Sequence, residues 1–124
     1  MTYIFYIRGG TMNNNCITNL LRYICLLQDN SMSNCLNNNS CDRPFLGINN
    51  SICYNTRIIS IYRKDGSLFT INNNSFFRVM NVTNNCCKLL ILNNSYQSTN
   101  EFIEINISCI GAVRCISDVY ISNI

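Results

Sequence analysis

Nine cysteines and no histidine set the chemistry open to this 124-residue chain. The thiols are Cys16, Cys25, Cys35, Cys41, Cys53, Cys86, Cys87, Cys109 and Cys115. Two pairs repeat one spacing, Cys35-x5-Cys41 and Cys109-x5-Cys115. Four thiolates satisfy a tetrahedral zinc site, which makes Cys35, Cys41, Cys109 and Cys115 the alternative metal set. Against it stand a spacing wider than that of common zinc modules and the lack of any His ligand. Redox catalysis has less support. No Cys-x-x-Cys occurs, and no His or clustered Lys lies nearby to lower a thiol pKa. Cys86 and Cys87 are vicinal, so in a strand one faces the core and the other faces out. The third chemistry is covalent stabilisation, within or between chains, for which all nine are candidates. A good disulfide contributes roughly 2–4 kcal/mol. An odd count leaves at least one thiol outside any intrachain set. Some of the nine are expected simply as small buried hydrophobes.

Other catalytic constellations are missing. Without His, the usual general base at neutral pH is gone. Glu101 and Glu104 are three apart in a strand-like run, on opposite faces, so they do not form an acid/base pair. No catalytic residue, cofactor or small-molecule substrate is expected. The net charge is +3 and the nine basic residues are scattered, so nucleic-acid binding has no footprint. No run is long enough to span a membrane. Tyr3 to Ile7 is too short for a secretory signal, and no convincing cleavage site follows it. A thiol-rich chain without an export signal needs surroundings that turn oxidising after synthesis.

The elements that must carry these thiols follow from periodicity. Residues 1–15 read as an N-terminal arm, with Met12 a second start and residues 1–11 expected to lie upstream of it. The alternative is a β-prone arm that pairs with a neighbour. Residues 16–124 form one cysteine-rich domain. Ile17, Leu20, Leu21, Ile24 and Leu27 recur at spacings of three and four, which predicts a helix over 16–29 with Asn15 as its cap and Asp29-Asn30-Ser31 as its stop. Residues 30–55 read as a linker, with Phe45 and Leu46 after Pro44 as core plugs. Residues 56–124 read as β. Strands are expected at Arg57–Arg63, Leu68–Ile71, Phe76–Thr83, Cys86–Leu92, Phe102–Cys109 and Ile116–Ile121, with turns at Lys64-Asp65-Gly66-Ser67, Asn72–Asn74 and Asn84-Asn85 and a loop over Asn93–Asn100. Regular short strands predict a mainly β fold, an antiparallel, jelly-roll-like β-sandwich with one N-terminal helix. In this reading Cys109 shares a buried face with Ile105 and Ile107, and Cys115 sits in an exposed bend. Asn and Ile dominate the composition, as expected of an AT-rich source.

Several stretches, in order, resemble one family. They are the helix end Leu26-Leu27-Gln28-Asp29, Pro44-Phe45-Leu46-Gly47, Asn55-Thr56-Arg57 with Tyr62 and Lys64-Asp65-Gly66, Phe77-Arg78-Val79, and the closing Ile107–Val119. Together these resemble the spore coat and exosporium family CotY/CotZ/ExsY over about Ile17 to Ile121, and the Asn and Ile bias suggests a clostridial member. This chain departs from it at Gly111 and Asn30, where the family often carries further cysteines.

The resemblance implies a structural protein of the spore surface, in coat or exosporium. It implies synthesis in the mother-cell cytoplasm and assembly with copies of itself, as hexamers in a hexagonal two-dimensional lattice hardened by disulfides. Other coat or exosporium proteins are the implied partners. A recognition domain on a spore or phage particle is the remaining alternative.

Overall fold

The computed structural model describes residues 15–38 and 54–124 apart from residue 123, with helix side chains described over 16–29. The predicted linker cysteines Cys41 and Cys53, the Phe45–Leu46 plug and residues 1–14 lie outside the described residues.

The apolar stripe forms α1, Asn15–Asn38. Leu21 and Ile24 are fully buried, and Ile17 and Leu20 pack beside them. The helix passes straight through the expected stop at Asp29-Asn30-Ser31. Asn and Ser in a helix interior cost well under about 1 kcal/mol each, and no Gly or Pro follows before Asn38.

Five strands follow among the described residues: β1 (Thr56–Arg63), β2 (Phe76–Val82), β3 (Cys86–Leu92), β4 (Ser98–Asn106) and β5 (Ile110–Val119). The mainly β antiparallel class and the N-terminal helix are what the described residues fold into. The layering differs from a sandwich: the strands form one sheet of order β4-β3-β2-β1-β5, and the helix takes the place of a second sheet. The reason is the pairing of β5 with β1, residue by residue from Arg63↔Ile110 to Thr56↔Val119, which returns the last strand to the sheet the first one started.

That return forces curvature. Only Ile107–Cys109, a turn of 3-10 helix, joins β4 to β5. This link reaches about 14 Å at most, whereas the two edges of a flat five-stranded sheet stand about 19 Å apart. The sheet therefore coils into a partly open barrel. Where the two edges approach, an apolar cleft of about 390 Å³ opens, lined by Ile61, Phe69, Ile105 and Ile110, with Arg63 and Cys109 also in its wall.

Turn chemistry fixes the connections. Gly66 has φ +89° and its N–H donates to Arg63 O at 2.9 Å. The Asp65 carboxylate accepts from Ser67 N at 2.9 Å and Ser67 Oγ at 2.6 Å. The expected return strand Leu68–Ile71 is reduced to isolated bridges, Tyr62↔Leu68 and Ile71↔Asn74. Asn72 and Asn73, both left-handed, turn the chain back at once. β5 begins at Ile110 rather than Ile116, with a bulge at Gly111. A Cβ there would stand 2.5 Å from Arg63 O, so only glycine allows β1 this close.

Two apolar clusters result. Leu21, Ile24, Ile59, Ile61, Phe77, Val79, Cys87, Leu89, Ile91, Ile107 and Ile110 fill the space between sheet and helix. Ile58, Leu90, Leu92 and Ile121 pack on the opposite face.

Candidate functional site

The sequence motifs separated along the chain meet at one buried polar junction. Ile59 pairs with Phe77, so continuing that register sets Arg57 opposite Val79. Their backbones are joined through the helix instead. Gln28 Oε1 accepts the Arg57 N–H at 3.0 Å, and Gln28 Nε2 donates to Val79 O at 2.8 Å. A buried amide that uses both its ends avoids the desolvation penalty of an unpaired group.

Around this bridge the charged groups are hydrogen-bonded. Arg57 Nε donates to Asp118 Oδ1 at 3.0 Å and Nη2 to Oδ2 at 3.4 Å. Both side chains are nearly buried. Arg78 Nε donates to Thr56 Oγ1 at 2.8 Å and Nη2 to Asn55 O at 2.9 Å. Burial pulls the Arg78 guanidinium below its usual value, opposed by Asp29 and Cys25. It stays charged at physiological pH. Asn55 extends the β1–β5 ladder with its side chain, donating from Nδ2 to Ile121 O at 2.8 Å and accepting from Ile121 N at 2.9 Å. The junction has every feature of a structural clamp: its polar groups are turned on one another.

The thiols divide by accessibility. Cys16 on α1, Cys109 in the 3-10 turn and Cys115 on β5 are exposed. Cys25 and Cys86 are half-buried, and Cys87 is fully buried. The Cys25 thiol donates to Met80 O at 3.6 Å. Burial raises its pKa, with Asp29 adding and Arg78 opposing. Burial is also the main reason the Cys87 thiol is pushed up to about 12. The raised Cys115 pKa comes first from partial burial among its strand neighbours, with Arg57 opposing and Asp118 adding.

Two expectations for the closing stretch change. Cys109 does not continue a buried face with Ile105 and Ile107. The strand ends at Asn106, whose Oδ1 accepts from Ser108 N at 3.0 Å and Ser108 Oγ at 2.8 Å, and the turn buries Ile107 alone. Cys115 sits inside β5 opposite Ile59, not in a bend. Cys35 falls on α1, but its side chain, like Cys41 and Cys53, is outside the described part. Among the described residues no three His, Cys, Asp or Glu side chains gather to hold a metal ion. No described helix is long and apolar enough to cross a membrane.

Sequence reasoning did not mark Gln28, Asn55, Thr56, Arg57, Arg78 or Asp118 as site residues. Their signal was present all the same, since each lies in one of the stretches that carry the family resemblance.

A family model described as Spore coat protein Z matches residues 9–101. The match takes in α1, β1, β2 and β3 and all of the junction except Asp118 and Ile121. The closing Ile107–Val119 stretch lies beyond it. No curated protein and no solved structure matches the chain. The motifs that build the junction and the extent of the match agree: the chain belongs to the spore coat protein Z family.

Proposed function

We propose that this structural protein of the spore surface is a tile that self-assembles into a two-dimensional layer hardened by disulfides. One observation carries the reading. Among the described residues, three exposed thiols lie on three different elements, the helix, the 3-10 turn and an edge strand. A planar network needs more than two links per unit, and three separately placed thiols meet that requirement. Links of this kind multiply, so an assembled layer resists dissociation far beyond the strength of one contact. The two outer strands, β4 and β5, present unpaired backbone groups that copies or other coat proteins can use.

Electron microscopy of the purified protein with and without reductant, beside non-reducing gels, tests this. The expected result is ordered sheets under oxidising conditions and a ladder that reductant collapses. The triple variant Cys16→Ser, Cys109→Ser, Cys115→Ser should lose most of the ladder. A clean monomer under oxidising conditions overturns the reading. Stoichiometric zinc in reduced protein would favour instead the Cys35, Cys41, Cys109, Cys115 module.

A further inference from the structure

The helix buries one face on the sheet and leaves an apolar pair on the other. Tyr23 is 55% exposed and Leu26 59% exposed, among the most open large apolar side chains described. They are three apart and so lie side by side on the outward face, with Cys16 exposed two turns towards the N-terminus from Tyr23. Arg22 and Asp29 are both exposed and seven apart, which puts them on one flank of that face. The Arg22 guanidinium is steadied there by Asn84, to whose Oδ1 its Nη2 donates at 2.6 Å.

These positions complement themselves. We infer that the outward face of α1 docks antiparallel on the same face of a second copy, about a two-fold axis. The axis passes between Tyr23 and Leu26, so Tyr23 of each copy packs on Leu26 of the other. The same arrangement brings Arg22 of each copy to Asp29 of the other. A parallel pair would set Arg22 level with Arg22 and Asp29 level with Asp29. The contact is isologous, as two-fold contacts are. It is small, which suits a joint repeated many times in an array. This inference rests on the self-assembling reading above and names the surface that reading uses.

The test is sedimentation in reductant over a range of concentrations, so that disulfides play no part. The wild-type chain should form a dimer, and Leu26→Lys should weaken it about tenfold or more. Because Leu26 is exposed, an unchanged circular dichroism melt should accompany that loss. Arg22→Asp and Asp29→Arg should each weaken the dimer, and the double variant should recover it, which a merely structural role of either residue would not produce. A wild-type chain that stays monomeric in reductant, or a Leu26→Lys chain that associates as well as wild type, overturns the inference even if oxidised protein builds sheets. A dimer with this mutational pattern upholds it even if no sheets form, in which case only the lattice reading fails.

Discussion

Gln28 on the helix takes the place of a strand-to-strand hydrogen bond, bridging the Arg57 N–H and the Val79 carbonyl that face each other across β1 and β2. The helix is thus bonded into the sheet and not only packed against it. Position 28 should tolerate little. Gln28→Leu removes the hydrogen bond that Gln28 makes to each of two buried backbone groups and should cost about 2–4 kcal/mol in urea unfolding. Gln28→Glu keeps the acceptor but turns a carboxylate on the Val79 carbonyl, and should be no better.

The ion pair beside it should show the asymmetry of buried charges. Asp118→Ala removes the carboxylate that Arg57 faces and should destabilise the fold by about 3–5 kcal/mol. Replacing both partners, Arg57→Met with Asp118→Leu, should recover part of that loss. The same unfolding series checks it: a double variant no more stable than Asp118→Ala would mean that the remaining contacts of Arg57 dominate.

The glycines separate two kinds of constraint. Gly66 has open space around it but φ +89°, so Gly66→Ala should cost about 1–2 kcal/mol through the backbone alone. Gly111 has the opposite problem, since an added Cβ meets the Arg63 carbonyl oxygen at 2.5 Å and its carbon at 2.8 Å. Gly111→Ala should cost more than Gly66→Ala, about 2 kcal/mol or above, and loosen the β1–β5 ladder. Hydrogen exchange at Tyr62, paired with Ala112 next to the bulge, reports that loosening.

Thiol labelling should follow burial. With the native chain at pH 8, Cys16, Cys109 and Cys115 should alkylate first, while Cys87 should stay unmodified until the chain unfolds. Peptide mass spectrometry after timed labelling reads the order. Alkylation of Cys87 at the rate of Cys16 would contradict its burial.

Alkali should destabilise the fold through the same residue. The Cys87 pKa rises from its ordinary 9.0 to about 12 on folding. Between those values the unfolded chain has released a proton that the folded one keeps, so stability falls as pH climbs. The contribution is complete below pH 9 and lost towards about pH 12, up to about 4 kcal/mol. Cys25 and Cys115, both raised, act in the same direction. Cys87→Ala should flatten the alkaline limb of a stability–pH curve while lowering the curve as a whole.

How much of this could be read from residues alone depended on whether the deciding contact was local. β3 was legible to the residue, because Asn84-Asn85 and the apolar run from Cys86 to Leu92 define it without outside help. The helix start was equally plain, but its end was not, since Asn30 and Ser31 only weakly oppose a helix that nothing else stops. The single sheet was hidden because it rests on pairing between Arg57 and Asp118, sixty-one positions apart. Alternation through Ile103, Ile105, Ile107 and Cys109 pointed to one long strand, yet the Asn106 side chain ends it by capping the turn. The junction was visible only as scattered short motifs, since periodicity says nothing of which polar side chains meet.

The clamp has a mechanical consequence. Cys115 lies on β5, β5 is laced to β1 along its length, and β1 is held to α1 by Gln28, with Cys16 at the far end of that helix. A pull applied between those two sulfurs passes through the Gln28 bridge and the β1–β5 ladder. A load placed on either thiol is thus shared with the hydrogen-bonded core instead of being borne by a loop.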